Sequence, residues 1–365
     1  MTMNSEKYME QAIKLARKGL GFVSPNPMVG SVIVKNNRVI GAGYHARFGG
    51  DHAEVAAVKS ATEDVAGATM YVTLEPCCFH GKTPPCVNLI IEKKISHVVI
   101  GSVDPDPRVN QKGIQILREN GVEVSFSALV NECNQLIEAY SWHRNNCVPF
   151  TTIKVAQTLD GQIATQTGHS QWISSPDSRT FAHQLRKEHD AVMVGTGTVI
   201  ADNPQLNLRH VKGVNPRRII LDSKLRIPVD AHVLKADDIE KSILVTSVEA
   251  SEKKLEQLKK IGVEVIKIHS NQDKRLDLKQ LWEVLGRKGI TSLLVEGGSQ
   301  LITSLLHQKL ANRFIAAIAP LILGQGTPAV GNLGKQKIDD AIHLKNIRKK
   351  NIEDDIILIG DIEYP

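Results

Sequence analysis

The sequence predicts an α/β protein of two domains, residues 1–147 and 148–365. Three observations predict it. Stretches of helical spacing alternate with short apolar runs along the whole chain, which implies mainly parallel sheets covered by helices. The pattern restarts with Thr151-Thr-Ile-Lys-Val-Ala156 just after Val148-Pro149. Finally, 365 residues are long for one domain but sufficient for two separate cores.

In the first half, Met9, Ala12, Ile13, Ala16 and Leu20 repeat at helical spacing, with Asn4 or Ser5 as N-cap and Gly19 near the end. Val29 to Val34 and Arg38 to Gly43 flank Asn36-Asn37, the pattern of a hairpin. A short helix is expected from His52 to Ser60 and a strand from Thr69 to Leu74. A Gly/Pro-rich loop follows from Glu75 to Pro85, with a helix starting at its end. His97 to Gly101 reads as a strand, and Asn131 to Asn146 as one closing helix.

In the second half, Ser175-Pro176-Asp177 reads as an N-cap with proline at the first helical position. Strands are expected at Ala191–Val194, Arg218–Leu221, Ile243–Thr246, Ser292–Val295 and Phe314–Ile318.

Composition narrows the functional classes. The net charge of +6 suits a phosphorylated ligand without demanding nucleic acid, and 4% aromatic residues argues against a base-stacking platform. The N-terminus turns polar at once, and no apolar run approaches the ~20 residues of a membrane span. Five cysteines form an odd set without a signal segment, so a disulfide framework is not expected. The expected compartment is the cytoplasm, with no membrane or nucleic-acid partner.

Cys77, Cys78 and Cys86 lie close together, and they follow His52-Ala53-Glu54. One histidine and two thiolates give three zinc ligands and leave the fourth position open for water, the layout of a catalytic rather than a structural site. Zinc lowers the pKa of bound water from about 15.7 to about 7. Glu54, two residues from a ligand, is placed to move the proton to a departing amine. These are the parts of a nucleobase-type deaminase. His52 and Glu54 fall at one helix start and Cys86 at another, where the helix dipole favours thiolate at Cys86. The gap from Cys77 to Cys86 is longer than the common Cys-x-x-Cys, and Cys78 competes with Cys77.

Asn26-Pro27-x-Val29-Gly30, Gly50-x-His52-Ala53-Glu54 and Glu75-Pro76-Cys77 through His80-Gly81-x-Thr83-Pro84-Pro85-Cys86 resemble the bifunctional deaminase/reductase family of riboflavin biosynthesis. That family uses the long Cys–Cys gap. The resemblance implies a cytidine-deaminase-like zinc domain with His52, Cys77 and Cys86 as ligands and Glu54 as proton shuttle. It leaves Cys78 aside, and it implies substrate contacts at Asn26, His45, Lys82 and Asp104.

Read alone, the second half offers two glycine turns after expected strands, Gly195-Thr196-Gly197-Thr198 and Glu296-Gly297-Gly298-Ser299. Each can present N–H groups to phosphate or serve simply as a tight turn, and neither is the Gly-x-Gly-x-x-Gly fingerprint. The resemblance extends through Lys154-Val-Ala156-x-x-Leu159-Asp160-Gly161, Ile173-Ser174-Ser175, Ala201-Asp202-Asn203-Pro204 and both turns. It implies a dihydrofolate-reductase-like domain that takes NADPH at Ala156, Trp172, Thr198, Asp202, Ser223 and the stretch Gly298, Ser299, Gln300, Leu301, Ile302, Thr303 and Ser304. Substrate contacts are implied at Ser170, Arg186, Leu206, Arg209 and Glu296, with Arg186 and Arg209 suited as phosphate forks. Lys154 is expected to stabilise charge near the sugar.

The function expected is zinc-dependent deamination of a small phosphorylated diaminopyrimidinone, followed by NADPH-dependent reduction of its ribosyl chain, in a homo-oligomer. Two rivals stand beside it. A tRNA-type deaminase leaves the second half unexplained, and a deaminase with a non-catalytic binding module fits if no NADPH binds.

Overall fold

The computed structural model describes residues 3–365 apart from 82, 236, 272 and 273. Backbone contacts divide the chain between Cys147 and Val148. In the first unit, helix α1 (Met3–Ala16) leads to the hairpin of β1 (Gly30–Lys35) and β2 (Arg38–Tyr44). Asn36 and Asn37 turn it at φ of 50° and 60°, the left-handed pair that a two-residue hairpin requires. There follow α2 (Ala53–Lys59), β3 (Thr69–Val72), α3 (Cys86–Glu92) and β4 (His97–Ile100).

The unit ends with α4 (Lys112–Glu119), β5 (Glu123–Phe126), α5 (Val130–Leu136) and α6 (Glu138–Asn146). The five-strand order is β2-β1-β3-β4-β5, with β3, β4 and β5 parallel and β1 antiparallel to both its neighbours, β2 and β3.

Both faces of this sheet are buried because apolar residues run on without alternation. Ile33, Met70, Val72, Val98 and Ile100 enter one core with Ile90 and Leu117. Val32, Val34, Tyr71 and Val99 enter the other with Met9, Ala12 and Leu136. Helix α2 lies hard against β2: a Cβ at Gly43 would stand 2.4 Å from Ala57 N, so only glycine allows the approach. That contact fixes the helix bearing Glu54.

Two expectations about this unit change, and one pair of elements is new. Helix α1 runs through Asn4 and Ser5, so neither is its N-cap. The closing helix is two helices, because the backbone leaves the helical region at Ile137 (φ −109°, ψ 10°). The pair α4–β5 has no counterpart in the sequence reading.

In the second unit, β6 (Phe150–Thr158) and β7 (Gln162–Thr165) precede α7 (Pro176–Glu188), whose N-cap Ser175 accepts the Ser178 N–H at 3.2 Å with Pro176 at the first position. Then come β8 (Ala191–Gly195), α8 (Thr196–Asp202), β9 (Arg217–Leu221), β10 (Ser242–Ser247), α9 (Glu252–Lys260) and β11 (Glu264–Ile268). Next are α10 (Leu278–Arg287), β12 (Ser292–Val295), α11 (Ser299–His307), β13 (Arg313–Ala319), β14 (Gly326–Pro328), β15 (His343–Ile352) and β16 (Asp355–Glu363).

The nine-strand order is β11-β10-β9-β8-β12-β6-β13-β16-β15, parallel from β11 to β13 and antiparallel where β16 pairs with β13 and with the edge strand β15. Its faces divide the same way: Met193, Ile243 and Leu293 lie in one core, Val192, Ile220 and Leu244 in the other. The mainly parallel sheet is as expected. Among the described residues no helix is long and apolar enough to cross a membrane.

Candidate functional site

In the first unit the chemistry collects where β3 and β4 end. His52 is the N-cap residue of α2, Glu54 lies in its first turn, Cys77 sits in the loop after β3, and Cys86 opens α3. His52 Nδ1 stands 3.4 Å from Cys77 Sγ and 3.3 Å from Cys86 Sγ. Zinc bonds of ~2.0–2.3 Å in a tetrahedron put two donors ~3.5 Å apart, so the three atoms fit one zinc ion. They are the one such group among the described residues. With Nδ1 turned to the thiols, His52 Nε2–H donates to Thr83 Oγ1 at 3.1 Å, a bond that fixes the ring. Cys78 faces elsewhere, its thiol 3.4 Å from the Arg108 carbonyl.

Cys77 accepts from the Cys86 thiol and from the Cys86 N–H at 3.4 Å, and is pushed down to about 4. Cys86, hydrogen-bonded to that thiolate and buried, is pushed up. The N-terminus of α3 thus stabilises the anion on its neighbour. Glu54 is 4% exposed, and burial, reinforced by Cys77, raises its carboxyl to about 7. A group near neutrality both takes and returns protons.

A cavity of about 270 Å³ opens beside these groups, lined also by Asn26, His45 and Asp104. His45 Nδ1–H donates to the Asp51 carbonyl at 2.8 Å, so Nε2 accepts the Asn26 amide N–H at 3.1 Å. Burial lowers the His45 pKa and favours this neutral ring. Asp104 is pushed up to about 6 by burial, and accepts the Tyr140 hydroxyl at 3.1 Å. Lys82 lies outside the described residues.

The sequence reading missed Thr83, Tyr140 and Glu75. Glu75 accepts the N–H groups of Asp104, Gln111 and Ile114, tying the β3 and β4 loops together. Thr83 and Glu75 lie inside the motifs quoted above. Tyr140 carries no local signal.

In the second unit the two glycine turns are adjacent, since β8 pairs with β12, and the Gly195 N–H donates to the Gly297 carbonyl at 3.2 Å. Cβ atoms added at Gly195, Gly197 or Gly297 would enter open space. The left-handed φ (+109°) belongs to Gly297, whereas Gly298 is extended and a Cβ there would meet Thr198 Oγ1 at 3.3 Å. This bare cradle at the starts of α8 and α11 fits a pyrophosphate-bearing cofactor.

A second cavity, of about 530 Å³, is lined by Ser223, Gln300, Leu301 and Ser304. The run Gly298–Ser304 cannot face one ligand throughout, because a helix turns its residues by 3.6 per turn. Ile302 is 0% exposed in the core, and Thr303 Oγ1 is engaged by Ser299 O and the Gly331 N–H. Ile302 and Thr303 therefore stand outside the cavity lining, against the expectation of contact. Ser299 begins the helix at the cradle. Ala156 lies on β6, Trp172 is 66% exposed with the Arg179 guanidinium 4.4 Å from its ring centre, and Ser170 donates to Asp202 at 3.0 Å.

The expected phosphate forks differ from each other. Arg186 is buried and bidentate to Glu296 at 2.6 and 2.7 Å, with its third nitrogen on the Asn207 carbonyl. It holds Glu296 in place, with three of its five N–H groups engaged. Arg209 is exposed, its guanidinium bound among the described residues only to Gln205 and Asn207 side-chain oxygens. Its backbone N–H is accepted by His183, whose ring burial pushes down to about 4; neither His183 nor its edge-to-face partner His210 was anticipated. Leu206 is 2% exposed, so its side chain packs the core and only its backbone can meet substrate. Lys154 is half-buried, and burial lowers its pKa against the opposing pull of Glu296 nearby.

Arg186→Ala strands Glu296 and should cost about 3–5 kcal/mol of stability. Thermal unfolding of the variant checks this; an unchanged midpoint would mean that Arg186 is a free fork after all.

The family model of the RibD C-terminal domain matches residues 149–358, and that of the cytidine and deoxycytidylate deaminase zinc-binding region matches residues 2–102. The riboflavin biosynthesis protein RibD of Actinobacillus pleuropneumoniae is 44% identical over 98% of this chain and 95% of its own. That of Aquifex aeolicus is 40% identical over 97% of each. Among solved structures, Acinetobacter baumannii RibD superposes with a TM-score of 0.88 at 33% identity, over 99% of both chains. A diaminohydroxyphosphoribosylaminopyrimidine deaminase/5-amino-6-(5-phosphoribosylamino)uracil reductase from Thermotoga maritima does so with a TM-score of 0.86 at 36% identity, over 99% of both.

Proposed function

Since this chain belongs to the RibD family, the zinc- and NADPH-using deaminase/reductases of riboflavin biosynthesis, we propose that its residues 1–147 and 148–365 perform the two reactions in turn. The first unit hydrolyses the 2-amino group of 2,5-diamino-6-(5-phosphoribosylamino)pyrimidin-4-one, giving the uracil and ammonia. The second reduces the ribosyl group of that product to ribityl. The observation that carries the reading is the buried Glu54 carboxyl beside a three-donor zinc site, in a chain whose other unit bares a glycine cradle. The substrate is a small pyrimidine; its phosphate and its exact substituents are part of the proposal.

His52, Cys77 and Cys86 hold the metal. Bound zinc supplies a water of lowered pKa, and bound NADPH supplies hydride. Glu54 takes a proton from the attacking water and delivers it to the departing amine. Asn26, His45 and Asp104, joined by Lys82, bind the ring and its chain. In the second unit Ala156, Trp172, Thr198, Asp202, Ser223 and Gly298 to Ser304 hold the cofactor, the last stretch through its cavity-facing side chains. Ser170, Leu206 through its backbone, Arg209 and Glu296 hold substrate. Arg186 positions Glu296, and Lys154 lies beside Glu296 to stabilise charge near the sugar.

We place the enzyme in the cytoplasm, where its metal-binding thiols stay reduced. The exposed run Leu321, Ile322, Leu323, hydrogen-bonded through its backbone to exposed Leu159, supports self-association into a homo-oligomer.

The test follows ammonia release from the diaminopyrimidinone phosphate, and then NADPH oxidation by the product. Gly197→Val separates the two halves. Its Cβ enters open space at an ordinary φ, so folding is spared while the cradle fills. Cofactor affinity should fall by about 10- to 100-fold, with deamination unchanged. Tight NADPH binding by this variant would place the cofactor elsewhere.

A further inference from the structure

The 530 Å³ cavity contains a cation that no step above uses. It lies at the carboxyl edge of the parallel strands, the crevice where nucleotide ligands sit in open α/β sheets. Ser223 follows β9 on one side. Gln300, Ser304 and His307 line the other, successive turns of the helix that starts at the glycine cradle. Between them stands Arg275, the one lysine or arginine among the described lining residues.

The Arg275 backbone is held on both sides: its N–H donates to Asn271 Oδ1 at 2.9 Å, and its carbonyl accepts the Asn271 N–H at 2.7 Å. Its guanidinium is exposed and has no hydrogen-bond or ion-pair partner among the described residues. The one carboxylate lining the cavity, Asp277, is engaged as the N-cap of α10, accepting the Gln280 N–H at 3.1 Å. An unpaired guanidinium fork among Ser, Asn, Gln and His side chains is a site for a phosphate group.

NADPH and NADH differ by one phosphate, on the 2′-oxygen of the adenosine ribose. We infer that Arg275 binds that phosphate and so selects NADPH over NADH. The inference rests on the proposed placement of the cofactor along Ser223, Gln300, Leu301 and Ser304. Arg275 stands on the surface and its backbone carries the local bonds, so its side chain can be removed without loss of fold.

The full-length protein is titrated with NADP⁺ and with NAD⁺, binding being read by calorimetry. Arg275→Ala should weaken NADP⁺ by about 10- to 100-fold, the size of a lost charge-assisted contact, and leave NAD⁺ unchanged. Arg275→Lys should restore part of the preference, and added salt should erode it in wild type. Equal weakening of both nucleotides, or of neither, overturns the inference. So does a rise in KM for the pyrimidine phosphate with the NADP⁺/NAD⁺ ratio intact, which would give Arg275 to the substrate.

Ser304→Trp, which fills the cavity, keeps the two readings apart. If it abolishes binding of both nucleotides while Arg275→Ala leaves their ratio alone, only the role of Arg275 falls. If Ser304→Trp binds both as wild type does, the cofactor placement itself falls.

Discussion

Cys77→Ser and Cys86→Ser should each lose zinc and reduce ammonia release to background, while Cys78→Ser keeps both. A serine hydroxyl stays protonated where a thiol ionises, so each variant leaves two ligands for an ion that needs three from the protein. The structure makes the contrast with Cys78 sharp. Both ligand thiols lie within 3.4 Å of His52 Nδ1, whereas the Cys78 thiol points to the Arg108 carbonyl and is pushed up by burial. Metal content and ammonia release, measured on the same preparations, check the result. NADPH oxidation with authentic uracil substrate should persist in all three, because the cradle belongs to the other unit, residues 148–365. Zinc retained by Cys77→Ser and lost from Cys78→Ser would reverse the ligand assignment.

Local pattern is what made the three-donor cluster of His52, Cys77 and Cys86 legible. Ligand type, helix-start context and a spare glutamate all lie within one segment from His52 to Cys86. The same holds for the Asn36-Asn37 hairpin and the Ser175-Pro176 cap, where two residues settle the backbone. The edge hairpin β15–β16 was invisible because β15 is exposed along almost its whole length and carries Lys345, Arg348, Lys349 and Lys350, so no apolar period marks it. Lysine on an edge strand also blocks pairing with other chains. The helix α4 and strand β5 are short, eight and four residues, below the length at which periodicity speaks.

Distance along the chain hid the rest of the reductase site. Arg186 looks like any cation on an amphipathic helix until Glu296, 110 positions away, is seen to take its fork. Resemblance supplied a contiguous cofactor stretch from Gly298 to Ser304, but a helix presents only part of such a stretch to one side. The structure keeps Gln300, Leu301 and Ser304 on the cavity and turns Ile302 inward. Arg275 was missed because it lies in a polar loop with no pattern of its own, and only the cavity brings it to Ser223 and Ser304.

Glu54→Gln should keep its zinc and lose deamination by about 10²–10⁴-fold, the usual worth of a general acid–base group. Glutamine preserves the volume in a buried position, so the first turn of α2 should hold His52 as before. It cannot accept a proton. The carboxyl it replaces is raised to about 7, chiefly by burial and next by Cys77, while His52 pulls it back. At neutral pH such a carboxyl exchanges protons in either direction with little penalty, which hydrolytic deamination needs twice: once to deprotonate water, once to make ammonia the leaving group. Asp104 is tied to the Tyr140 hydroxyl and the Asp106 N–H, and the His45 ring nitrogens are both committed, to Asp51 and Asn26. Zinc content and NADPH oxidation, both unchanged, would show that the loss is chemical rather than structural. If a zinc-replete Glu54→Gln protein releases ammonia within about tenfold of wild type, below the range expected of such a group, the proton passes by another route.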